Sequence, residues 1–113
     1  MGKKSRDKGI RFERDICRRL QPLDPGACRN LDQYQKSSGR DITGNDSVCY
    51  QLKWYSKITT GTIRTALAEA TNALDEHYEI PAAVTKADGE EPMITFHFDD
   101  YISLRSRLED GEL

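Results

Sequence analysis

Apolar residues recur at helical spacing near the start of the chain. Placed at about 100° per residue, Ile10, Phe12, Ile16, Cys17 and Leu20 fall on one arc. The spacing predicts a helix that opens at Ser5 or Asp7 and runs to Leu20, ended by Pro22 and Pro25-Gly26. Residues 21–32 read as a loop. Short extended pieces at Tyr34–Ser37 and Arg40–Thr43 lead into a Gly44-Asn45-Asp46 turn, and Val48–Tyr55, rich in aromatic and β-forming residues, reads as a strand. From Thr60 to Tyr78, Ile63, Ala66, Leu67, Ala70, Ala73, Leu74 and Tyr78 share a helical face that includes His77, and the helix ends before Pro81. Ala82–Thr85 and Met93–Phe98 read as strands around an Asp88-Gly89 turn, and Asp99 or Asp100 caps a last helix to Leu108. The order is α-β-β-β-α-β-β-α, an α/β pattern with a small mixed sheet flanked by helices. It predicts one domain over residues 1–113, with an ordered core at 5–108 and frayed ends.

Two positions break the apolar pattern. Glu13 falls inside the apolar arc of the first helix, while Arg11, Arg14, Asp15 and Arg18 lie opposite. A carboxylate on a core-facing stripe is costly unless a cation or hydrogen bonds compensate. Glu13 therefore either pairs with a Lys or Arg at the core edge or is aimed at a metal. The second break is in the strand. Alternation puts Gln51 and Lys53 on one face with Cys49 and Tyr55, and Val48, Tyr50, Leu52 and Trp54 on the other. If the turn occupies residues 44–47, Asp41 pairs across with Tyr50 and lies beside Gln51. Asp41, Gln51 and Lys53 then meet at one end of the sheet, unless these polar side chains simply face water.

Composition narrows the classes. The 113 residues contain no apolar run near the roughly 20 that a membrane span needs, so no membrane partner is expected. The polar start argues against a secretory signal, and Arg6 stands where Gly2 myristoylation would need Ser or Thr. Three cysteines without a CxxC pair suit reduced thiols and a cytoplasmic location rather than a disulfide frame or a zinc cage. Net charge is −2, yet residues 1–64 carry 14 Lys/Arg against 7 Asp/Glu, and residues 65–113 carry 3 against 12. One basic half points to an anionic partner, nucleic acid first. His77 and His97 lack ligand or base partners at useful spacing, Cys17 and Cys49 take core positions, and Trp54 reads as core or dimer interface ahead of base stacking.

Glu13, Asp41 and Gln51-Leu52-Lys53, followed by a helix, resemble the PD-(D/E)xK nuclease superfamily. The segments Lys8-Gly-Ile-Arg-Phe-Glu13 and Ser38-Gly-Arg-Asp41 are similar to those of its Holliday junction resolvase branch of archaeal and phage type. The resemblance covers about residues 8 to 104. Gln51 is the departure, because the family usually has Glu there. VRR-type nucleases and certain methyl-directed restriction enzymes are similar in carrying Gln.

The resemblance implies a restriction-endonuclease-like fold and Mg²⁺- or Mn²⁺-dependent hydrolysis of DNA phosphodiesters. Asp41, the Gln51 side-chain oxygen and the Leu52 backbone carbonyl would be metal ligands, with Glu13 ligating directly or through water. Lys53 would orient the attacking water or stabilise developing charge. Lys36, Ser37, Ser38 and Arg40 would hold phosphates beside the scissile one, and Lys3, Lys4, Lys8, Arg11, Arg14, Arg18 and Lys57 would add sequence-independent contacts. Two nicks related by a two-fold axis in a four-way junction imply a homodimer. A phage-encoded copy would work in the host cytoplasm. The alternatives are another structure-specific or repair nuclease of the same fold, or a nucleic-acid-binding protein whose site has decayed.

Overall fold

The computed structural model describes residues 3–31 and 39–111. Helix α1 (Lys3–Leu20) leads to the short strands β1 (Cys28–Arg29) and β2 (Ile42–Thr43) and the long strand β3 (Val48–Tyr55). Helix α2 (Thr60–Asn72), strands β4 (Ile80–Ala87) and β5 (Met93–Thr95) and helix α3 (Phe98–Glu109) follow. The fold is a small α/β one, and from β2 onward its elements follow the expected order. Its first described strand, however, lies inside the expected loop at 21–32, and the strand expected at Tyr34–Ser37 lies outside the described residues, as do the outermost termini.

β1 and β2 form an antiparallel pair, and β3, β4 and β5 form a mixed sheet in that order. β3 runs parallel to β4 from Val48↔Ile80 to Tyr55↔Ala87, and β5 runs antiparallel to β4. A parallel pair needs a crossover, which α2 supplies. The two sheet faces are covered by different helices. Phe12, Ile16 and Cys17 of α1 pack with Tyr50 and Leu52 of β3 and with Ala82 and Val84 of β4. Ala66 and Leu67 of α2 pack with Ala83 on the other face. Ile42 and Cys49 are fully buried, and closing water off from an isoleucine is worth about 1.5–3 kcal/mol.

Thr59 caps α2 in a reciprocal capping box with Thr62. The helix ends at Asn72 rather than Tyr78, because groups from elsewhere take over its last turn. Glu79 Oε1 accepts the N–H groups of Asp75 and Glu76, at 2.8 and 3.0 Å, and Arg40 donates to the Ala73 carbonyl at 3.0 Å. Tyr78 and His77 are therefore exposed instead of facing the core. β4 is longer than expected and includes Pro81. Ile80 N–H points to the β3 side, donating to Ser47 at 2.9 Å, so the Pro81 nitrogen faces the other edge, where β5 pairs only with Ala83–Thr85. His97, rather than Asp99 or Asp100, is the N-cap of α3 and makes no side-chain cap bond; both aspartates lie in the first turn, and the helix has no buried residue. Gly44 takes φ 79°, and a Cβ there would run into the Gly26 carbonyl, so only glycine lets the two loops close beside β2.

Candidate functional site

β3 carries β4 on one edge, and its other edge receives Asp41. Asp41 N–H donates to the Tyr50 carbonyl at 3.3 Å, and Leu52 N–H donates to Asp41 Oδ2 at 2.7 Å. This is the cross-strand placement expected from the turn. The N–H and C=O of one strand residue share an edge, so the Leu52 carbonyl lies on the edge that Asp41 occupies. Asp41 is 7% exposed. Burial pushes its carboxyl up to about 7; the Leu52 N–H opposes this, the charges of Glu13 and Glu69 add to it, and the Lys53 ammonium lowers it.

Gln51 and Lys53 point to α2, where Glu69 receives both. Gln51 Nε2 donates to Glu69 Oε2 at 3.0 Å, and Lys53 Nζ lies 2.9 Å from the same oxygen. Burial works against the Lys53 charge, but the Glu69 hydrogen bond and the neighbouring carboxylate of Asp41 raise its pKa above the ordinary lysine value. Gln51 Oε1 is buried and has no hydrogen-bond partner. Glu69 was not among the residues expected here. Its signal is its place beside Ala70 and one turn from Ala66 and Ala73, at the border of the buried face.

Glu13 takes the first of its two expected roles. Its Oε1 accepts from Arg29 Nε of β1 at 2.9 Å, an ion pair at the core edge that the loop reading of residues 21–32 did not anticipate. Arg40 differs from its expected role as a phosphate contact. It is buried, and its guanidinium donates to both Glu79 carboxylate oxygens at 2.8 Å and to the Ala73 carbonyl, with Asp75 3.2 Å away. Arg40 is thus a core cation committed to the end of α2. Of the other expected DNA contacts, Arg11, Arg14, Arg18, Lys3 and Lys57 are exposed, while Lys8 pairs with Asp88 at 2.7 Å. Lys36, Ser37, Ser38 and the Lys4 side chain lie outside the described residues.

Among the described residues, no three His, Cys, Asp or Glu side chains form a group able to hold a metal. The oxygens on or beside β3 are of mixed kind: the Asp41 carboxylate and the Leu52 carbonyl at one edge, and the partnerless amide oxygen of Gln51, whose side chain turns to α2. All are hard oxygens, suited to a cation such as Mg²⁺ that keeps several waters. Comparison of the chain with protein-family models, curated proteins and solved structures gave no match.

Proposed function

We propose that this chain is a metal-dependent DNA endonuclease of restriction-endonuclease-like fold, working as a homodimer on four-way junctions, with Asp41, Gln51 and Lys53 at its centre. The observation that carries the reading is the buried, partnerless Gln51 Oε1 next in sequence to Leu52, whose N–H holds Asp41. An unsatisfied buried acceptor costs about 1–3 kcal/mol, and a cation shared with Asp41 would relieve it.

Asp41, Gln51 Oε1 and the Leu52 carbonyl would hold Mg²⁺ or Mn²⁺. A divalent ion bound there would polarise a phosphoryl oxygen and acidify a water. Lys53, held cationic by Glu69, does not serve as a base near neutral pH; it donates to a non-bridging phosphate oxygen as charge builds in the transition state. Glu69 positions both Gln51 and Lys53. Arg11, Arg14 and Arg18, on the helix that covers the opposite sheet face, bind backbone phosphates away from the scissile one. A second reading, a nucleic-acid-binding protein with a decayed site, is favoured by one observation: the Glu13 carboxylate is engaged by Arg29.

The test is incubation with Mg²⁺ or Mn²⁺ and three synthetic substrates: a four-way junction, a flap and plain duplex. Paired nicks in the junction alone support the proposal. Cutting of the flap as well as the junction shifts it to a general structure-specific nuclease. Junction binding without cutting in either metal supports the decayed site.

A further inference from the structure

On the face of β3 opposite Gln51 and Lys53, Trp54 lies at a cleft. Its indole is fixed: Nε1 donates to Asp88 at 2.8 Å, and Phe12 meets the ring edge-on with centroids 6.1 Å apart. Three cations surround the ring, with Lys86, Lys8 and Arg11 at 4.5, 5.1 and 5.5 Å from its centroid. The adjoining cavity has a volume of about 590 Å³ and is lined by Arg11, Arg14, Arg18, Lys86 and Trp54, with Asp15 as its one carboxylate. Asp15 is shared by Arg18 and Arg19, and among the described residues Arg11 and Arg14 form no ion pair.

A concave surface with this excess of cations selects an anion. The aromatic wall narrows the choice. A simple oxyanion gains nothing from the negative face of an indole, whereas a nucleobase stacks on it, taking the place of one of the flexible cations over the ring, which turns to a phosphate. In a duplex the base faces are already stacked on each other. Arg11, Arg14 and Arg18 follow one side of α1 over about 10 Å at 1.5 Å per residue, room for neighbouring phosphates of an extended strand. We infer that the cleft between α1 and Trp54 binds single-stranded nucleic acid, with one base stacked on Trp54 and the adjoining phosphates on the arginine row. The inference rests on nucleic acid being the partner, but not on cleavage.

Trp54 is the only tryptophan in the chain, so intrinsic fluorescence reports on it alone. The protein is titrated in EDTA, where no metal-dependent cutting occurs, with dT10, rU10, an abasic deoxyribose-phosphate decamer and a ten-base-pair duplex. The expected result is saturable quenching by dT10 or rU10, the tighter one identifying the source of the strand, with little quenching by the abasic decamer or the duplex. In anisotropy titrations of the labelled strand, Trp54→Ala should weaken binding about tenfold. Lys86→Ala, which leaves the core intact, should weaken it less and lower its salt dependence. Absent quenching by both strands, or equal quenching by the abasic decamer, would overturn the inference. A chain that fails to nick junctions still gives a clear result here, so the two proposals fail separately.

Discussion

Glu69 Oε2 lies 3.0 Å from Gln51 Nε2 and 2.9 Å from the Lys53 ammonium, so one helix carboxylate holds both polar side chains of β3. A carboxylate only accepts, which turns the amide nitrogen toward Glu69 and leaves Gln51 Oε1 for another partner. Removing a group that orients a ligand commonly costs 10–100-fold in metal affinity. Glu69→Leu should therefore raise the Mg²⁺ concentration for half-maximal thermal stabilisation by about tenfold. Glu69→Gln, which can still accept the amide bond, should raise it less. Unchanged midpoints in both variants would remove Glu69 from the site.

Gln51→Glu has opposite consequences under the two functional readings. With a cation at the β3 edge, the added charge tightens it and lowers the Mg²⁺ or Mn²⁺ requirement for nicking. With no cation, a third carboxylate joins Asp41 and Glu69, and like-charge repulsion lowers the melting temperature with no rescue by metal. A metal titration of nicking beside a metal-free melt separates the outcomes.

Arg40→Ala tests the correction to the expected phosphate contact. Arg40 holds the Glu79 carboxyl down to about 2, and truncation leaves that buried carboxylate without its main partner. Breaking a buried pair from one side costs about 3–5 kcal/mol. Urea melts should show a loss of that order, while the salt dependence of DNA binding by the folded fraction stays as in wild type. A reduced salt slope with unchanged stability would return Arg40 to the nucleic-acid interface.

Asp41 gives stability a distinctive pH dependence. Burial pushes its carboxyl up to about 7 in the folded chain, against the ordinary 3.8 of an exposed aspartate. Between these pH values the folded protein holds a proton that the unfolded chain has released, so stability falls as pH rises through the window and levels off above it. Three pKa units set a ceiling of about 4 kcal/mol. Asp41→Asn, which keeps an acceptor for Leu52 N–H, should lose this decline and melt higher than wild type at pH 8 without metal. Glu13→Gln removes one of the charges that raise the Asp41 pKa, so it should lower the upper edge of the window. Urea melts from pH 4 to pH 8 would show it; a flat wild-type profile would contradict the buried, metal-free state of Asp41.

The parts legible from sequence are those set by local pattern. The apolar arc of α1 and the alternation of β3 each depend on one continuous segment, and the turn at residues 44–47 brings Asp41 opposite Tyr50. What was not legible depends on groups that meet only in three dimensions. Arg29 reaches Glu13 from a two-residue strand too short to leave a pattern. Glu79 and Arg40 end α2 from outside it, six residues before its apolar face runs out. Glu69 reads as an ordinary surface glutamate until β3 sets Gln51 and Lys53 against it.

The central claim is that Asp41 and Lys53 form a metal-dependent phosphodiesterase site, and single-turnover nicking of a four-way junction tests it most directly. Wild type should cut with Mg²⁺ and stop in EDTA. Asp41→Asn and Lys53→Ala should each lose about 10²–10³ in rate, the scale for removing a group that stabilises transition-state charge, while still binding the junction. Cutting by Asp41→Asn at the wild-type rate in Mg²⁺ would contradict the claim.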